Sequence, residues 1–89
     1  METRHLLLQD LEAAFALNEE YLSASRDEFF QWYEANPDLF VGIFDDTTLI
    51  GICYGMNWHR QPGYVVLEGI ATQYDYWRSG AGSQLIQFF

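Results

Sequence analysis

LEGIATQYDYWRSGAGSQLI, residues 67–86, decides how this chain is read. Its first third belongs to an apolar, β-rich run, YVVLEGIAT (64–72), that reads as a strand with Glu68 and Gly69 inside it. A glycine within a strand weakens it, and its usual reasons are a bulge or the close backbone approach of a ligand. Gly80-Ala81-Gly82 then leads into Ser83-Gln84-Leu85-Ile86, good helix-opening material, so a tight loop feeding a helix N-terminus is predicted. Successive backbone N–H groups at such a turn suit an anion.

Two phosphate-binding motifs fail here. A P-loop needs Gly-x-x-x-x-Gly-Lys-Ser/Thr, and the chain has no lysine. A dinucleotide fingerprint needs a third glycine where Leu85 stands, together with a second strand and a ribose-binding acid. What remains is a loop whose glycines clear the way for a pyrophosphate, although a Gly-x-Gly turn before a helix is often only a turn.

Working outward, 89 residues allow one small domain, 1–89, with no linker, repeat or low-complexity stretch. A 49% apolar and 18% aromatic content exceeds what so small a globule needs, which leaves apolar surface for a partner. The net charge of −9, with four Arg, argues against nucleic acid, whose phosphates require a basic footprint. The acid balance fits a cationic acceptor, or serves solubility alone. Cys53 is the single cysteine, so no disulfide framework exists and the chain reads as cytoplasmic. Leu6-Leu7-Leu8 is interrupted at once by Gln9-Asp10, so no signal peptide is expected, and no run approaches the roughly 18 apolar residues of a membrane span.

Residues 2–8 are a weakly signalled strand. Asp10 is a good N-cap for a helix to about Leu22, with Leu11, Ala14, Phe15, Asn18 and Leu22 on its inner face. Ser25-Arg26-Asp27-Glu28 has the capping-box pattern of a second helix, whose buried side is Phe29, Phe30, Trp32 and Tyr33 and which ends before Asn36-Pro37. LFVGIFDDTTLIGICYGMNW (39–58) reads as an antiparallel hairpin turning at Asp45 to Thr48. Leu39, Val41 and Ile43 lie on one face and Phe40 and Phe44 on the other, so both faces need covering. Gln61-Pro62-Gly63 is the turn before the third apolar strand.

Taken together, these features resemble the GNAT superfamily of acetyl-CoA-dependent N-acetyltransferases. Its signature is a strand ending in a hydrophobic triplet, a short link, then Arg/Gln-x-x-Gly-x-Gly/Ala entering a helix. Ile70-Ala71-Thr72 matches the triplet, Gln73 to Tyr76 the link, Trp77-Arg78-Ser79-Gly80-Ala81-Gly82 the loop, and SQLIQFF (83–89) the helix. The resemblance implies an α/β (α+β) fold with a mixed, mostly antiparallel sheet in the order strand, helix, helix, three strands, helix, stopping before the family's fifth strand. It implies acetyl-CoA as co-substrate and an amine acceptor, which the acid balance of the chain leans toward a small cationic amine; no metal is expected, for want of ligand-spaced residues.

On this resemblance the backbone of Ile70, Ala71 and Thr72 pairs with pantetheine. Trp77, Arg78, Ser79, Gly80, Ala81, Gly82 and Ser83 form the pyrophosphate loop. Glu68 is the candidate base for the amine, because a carboxylate on an apolar strand tends to a raised pKa; it also reads as a solvated carboxylate or a partner of Arg60 or Arg78. The acid that protonates the departing thiolate is usually a Tyr beyond the fifth strand. Trp77 departs from the family's Arg or Gln.

His59 is a base by residue type, but a loop position favours exposure. His5 and Cys53 lack ligand-spaced companions, and Cys53 reads as buried filler. Phe29, Phe30, Trp32 and Tyr33 wall an acceptor pocket or simply fill the core. The apolar surplus, with Ile86, Phe88 and Phe89 expected to lack partners, predicts a homodimer through the third apolar strand and the last helix. The alternative function is a non-catalytic interaction module built on that same edge.

Overall fold

A computed structural model of the chain describes residues 1–57, 63 and 65–89. Four strands, β1 (Glu2–His5), β2 (Phe40–Asp45), β3 (Thr48–Asn57) and β4 (Val65–Thr72), form one sheet in the order β1-β2-β3-β4, with every neighbouring pair antiparallel. Helices α1 (Leu11–Tyr21) and α2 (Arg26–Ala35) lie between β1 and β2 in sequence, and α3 (Ala81–Phe88) follows β4. Most of the predicted turn at Gln61-Pro62-Gly63, His59 and Arg60 lie outside the described residues.

Both sheet faces are covered, as the two-sided apolar pattern of the hairpin requires. Phe40, Phe44, Ile52 and Tyr54 meet Leu6, Leu11, Ala14 and Leu17 on one side with Phe29 of α2, while Val41, Ile43, Ile50 and Cys53 meet Ala81 and Leu85 of α3 on the other. Burial pushes the Cys53 thiol up to about 11, so it stays a protonated, inert filler.

The helix signals hold with one exception. Ser25 accepts from the Glu28 N–H at 3.2 Å and Glu28 accepts from the Ser25 N–H at 3.1 Å, the reciprocal capping box. Asp10 precedes α1 but does not cap it with its side chain. Its carboxylate instead accepts from the Leu7 N–H and the Arg4 guanidinium, both at 2.8 Å, and so closes the short 3₁₀ turn Leu8–Asp10 that joins β1 to α1. The first strand therefore stops at His5 rather than residue 8.

Two β-bulges shape the sheet. Pairing jumps from Ile43↔Gly51 to Phe44↔Leu49, leaving Ile50 as the extra residue of β3, and from Tyr54↔Gly69 to Gly55↔Leu67, leaving Glu68 as the extra residue of β4. Gly69 is glycine because of packing: a Cβ there would lie 2.9 Å from the Leu22 side chain and 3.0 Å from the Tyr54 ring. The close approach read from the sequence is thus made by two side chains.

Phe88 and Phe89 find partners after all. The Phe88 ring lies edge-on to His5 at 5.3 Å, and a Cβ at Gly55 would come 2.6 Å from the Phe89 ring, yet the two stay 43% and 38% exposed, and Ile86 56%. No helix among the described residues is long and apolar enough to cross a membrane.

Candidate functional site

The β4–α3 connection is built to expose backbone donors. After β4 the chain makes a 3₁₀ turn at Tyr74–Tyr76, whose Tyr76 hydroxyl donates to Asp45 at 2.6 Å and ties the loop to the β2–β3 hairpin. The Ser79 N–H donates to the Tyr76 carbonyl, the Ala81 N–H meets the Ser79 hydroxyl, and the Gln84 N–H donates to the Gly80 carbonyl. The N–H groups of Arg78, Gly80, Gly82 and Ser83 take no acceptor among the described residues. Gly80 has φ +86°, the left-handed region that suits glycine, and a Cβ at Gly80 or Gly82 would meet nothing within 4 Å. Open space therefore lies before a cluster of unpaired donors at the N-terminus of α3.

β4 is the last strand of the sheet, so one of its edges has no strand neighbour. The Gln73 N–H donates to the Ile50 carbonyl at 2.8 Å, which fixes the phase of the ladder. By the alternation of antiparallel pairing, the backbone of Ala71 turns toward Ile52 and that of Ile70 and Thr72 turns outward. Of the three residues expected to pair with a ligand, two present backbone groups to the open edge. A cleft of about 380 Å³ runs along it, lined by Tyr21, Ile70, Ala71, Thr72, Trp77 and Gly82.

A second cleft, about 470 Å³, opens where α1, α2, β3 and β4 converge, lined by Tyr21, Leu22, Ser23, Ala24, Glu28, Trp32, Tyr54 and Glu68. The bulge brings the exposed Glu68 to its wall. Glu28 and Trp32, four residues apart, share a face of α2, and the cap holds one Glu28 oxygen in place. The Tyr54 hydroxyl donates to Asn18 Oδ1 at 2.9 Å, and Asn18 Nδ2 donates to the Ala24 carbonyl at 2.8 Å, so one buried amide anchors both the cleft's phenol and the α1–α2 turn. Burial first, then the Glu68 and Glu28 charges, push the Tyr54 phenol up to about 12. Both carboxylates thus act on one point of the cleft.

Tyr21 borders both clefts, and its hydroxyl accepts from the Tyr74 N–H at 3.1 Å. Of the α2 aromatics, Trp32 alone lines this second cleft; Phe29 is wholly buried, Phe30 is half-buried, and Tyr33 donates its hydroxyl to the Leu6 carbonyl. Tyr21, Asn18, Glu28 and Tyr54 were not singled out as site residues from the sequence. The one available signal was the four-residue spacing of Glu28 and Trp32, which was absorbed by the capping reading. Among the described residues no group of three His, Cys, Asp or Glu side chains stands close enough to hold a metal.

The sequence matches the acetyltransferase (GNAT) family over residues 4–89. The chain belongs to that family. Among solved structures it is similar to Ard1 from Thermoplasma volcanium (TM-score 0.85, 18% identity, 99% of this chain and 60% of that one). It is also similar to smu.2055 from Streptococcus mutans UA159 (0.83, 25%, 100% and 63%) and to the GNAT-like decarboxylase GphF, solved with isobutyryl-CoA (0.83, 21%, 99% and 56%). The chain therefore spans about three fifths of the length of these structures. No curated protein matches it in sequence.

Proposed function

We propose that these residues form the acyl-CoA-binding part of an N-acetyltransferase that moves an acetyl group from acetyl-CoA to a small cationic amine. The observation that carries this reading is the set of unpaired N–H groups of Arg78, Gly80, Gly82 and Ser83 next to the outward backbone of Ile70 and Thr72. The four donors receive the pyrophosphate, and the strand edge pairs with the pantetheine arm and offers an N–H to the thioester oxygen.

The acceptor enters through the Glu28–Trp32–Tyr54–Glu68 cleft. Its described lining carries two carboxylates and no cationic side chain, and the half-buried Trp32 ring suits an ammonium group. Glu68 takes one proton from the ammonium group, directly or through water; the neutral nitrogen attacks the carbonyl carbon, and as the C–S bond breaks the nitrogen sheds its surplus proton to water, leaving the amide. The thiolate receives its proton from the acid that the family resemblance puts beyond a fifth strand. Cytoplasmic location belongs to the same proposal.

Calorimetric titration of the full-length protein with acetyl-CoA, followed by turnover on alkylamines, tests the reading. Glu68→Gln should keep acetyl-CoA affinity while depressing turnover. Absence of acetyl-CoA binding, or full turnover by Glu68→Gln, would refute the reading or its base respectively.

A second reading, a non-catalytic module that forms homodimers, is favoured by Val65, Val66 and Leu67, which are exposed on the edge strand β4. Pairing of two β4 edges at Ile70–Thr72 uses the groups offered to pantetheine. Light scattering with and without CoA separates the two: a dimer that persists unchanged at saturating CoA does not use that edge.

A further inference from the structure

Trp77 stands where the family resemblance calls for Arg or Gln. Its indole N–H donates to the Thr72 carbonyl at 2.8 Å, one of the backbone groups turned to the open edge of β4. The ring sits 4.8 Å from that of Tyr74 and 6.3 Å from that of Tyr21, and it lines the edge cleft with Ile70 and Gly82. It remains 58% exposed, so most of its face is uncovered by the protein. Indole carries one polar atom, a donor, and that donor is spent on Thr72. What Trp77 presents to a ligand is apolar ring surface, where an arginine would present five N–H donors.

We propose that Trp77 is a specificity-determining residue for the pantetheine arm. By occupying the Thr72 carbonyl it leaves Thr72 only its N–H for strand-like pairing, beside both backbone groups of Ile70, and its ring, backed by Tyr21 and Tyr74, packs on the alkyl part of the arm. With no guanidinium at position 77, phosphate recognition then falls to the backbone donors of the loop and to Arg78, and affinity is shifted from the nucleotide end of the ligand toward its arm. This inference rests on the acyl-CoA reading above.

The test compares CoA with adenosine 3′,5′-bisphosphate, which has the nucleotide end without the arm, by calorimetry on the full-length protein. Trp77→Ala is expected to weaken CoA by about tenfold, the loss of one well-packed apolar contact, and to leave the bisphosphate unchanged. Trp77→Phe, which keeps a ring and releases the Thr72 carbonyl, should stay within about threefold of wild type for CoA on the same scale. The Trp77 indole N–H resonance should move on adding CoA and hold still on adding the bisphosphate.

Equal losses of both ligands in Trp77→Ala would mean that the ring only supports the loop, and would overturn the proposal. Unchanged CoA affinity in Trp77→Ala, or a Trp77→Phe loss as large as that of Trp77→Ala, would overturn it too. A wild-type protein that binds no CoA removes the acyl-CoA reading itself, a failure distinct from any seen only in the Trp77 variants.

Discussion

Replacing Gly82 with Asp should stabilise the empty protein and abolish CoA binding at the same time. Gly82 is the second residue of α3, its backbone is not in the left-handed region, and a Cβ there meets nothing within 4 Å. Removing a glycine from a helix recovers up to about 1 kcal/mol of backbone entropy, less the lower propensity of Asp, and a carboxylate in the first turn adds about 0.3–1 kcal/mol through the helix dipole. The net gain is about 0.5–1 kcal/mol, or roughly 2–8 °C in Tm for a domain of this size. The same carboxylate stands among the donors of Arg78, Gly80 and Ser83, where the pyrophosphate is proposed to lie. One like-charge pair about 4–5 Å apart at an effective dielectric near 20 costs roughly 3–4 kcal/mol, more than a hundredfold in affinity. Thermal melts with and without CoA, with calorimetry, read both signs. Gly82→Ala separates charge from bulk: it should share the stability gain and keep measurable binding. Gly80 is unsuitable, because its φ of +86° strains any side chain and mixes folding with binding. A folded Gly82→Asp variant that binds CoA as wild type does would refute the loop assignment.

Three further outcomes follow from the acceptor-side cleft and the first turn. Glu28→Gln keeps the capping box, which accepts Gln at that position, so stability should hold while affinity for an alkylammonium probe drops severalfold and the Tyr54 titration moves down from about 12. Tyr54→Phe leaves the wholly buried Asn18 without the partner on its Oδ1 and should cost about 1–3 kcal/mol in a denaturant titration. The hydrogen bond from Arg4 holds the Asp10 carboxyl below its ordinary 3.8, with the Leu7 N–H adding to it. A depressed folded pKa gives stability that is present above the unfolded value and lost as pH falls through the folded one. Wild type should therefore lose more stability than Asp10→Asn on acidification below about pH 4, and parallel acid unfolding curves would contradict it.

The fold was legible where local chemistry and burial agree. The capping box at Ser25, the hairpin around Asp46 and the Gly80-Ala81-Gly82 turn each carry a residue type whose reason is local, and each stands where the sequence put it. The element order followed from these and from the apolar runs between them. Asp10 misled because its side chain had two possible customers, and the cation at Arg4, six residues earlier, outbid the helix end. The bulge at Glu68 was legible only as a glycine out of place, since a register jump depends on β3, which the sequence of β4 does not contain. Tyr21, Asn18 and Tyr54 could not be picked out because their roles exist only across elements, with 36 residues separating Asn18 from Tyr54 and 53 separating Tyr21 from Tyr74.

The proposed polyphosphate ligand sets a chain of net charge −9 an electrostatic conflict that the geometry resolves by distance. At physiological salt, charges more than about 8 Å apart are largely screened, so the total matters less than what stands at the loop. There Arg78 stands against Asp75 on the loop itself, while the Asp45 carboxylate is one step removed, beyond the Tyr76 hydroxyl it accepts from. Unpaired N–H groups then supply the local positive field. The carboxylates of Glu28 and Glu68 border the other cleft, where an ammonium group would need them. β4 serves both sides because its bulge adds one residue to the strand. Without Glu68 as the extra residue, the strand could not turn a carboxylate toward the helices and still keep Ile70 and Thr72 facing its open edge. The inserted residue is therefore what lets one edge strand border both the proposed donor cleft and the proposed acceptor cleft, whose electrostatic demands are opposite.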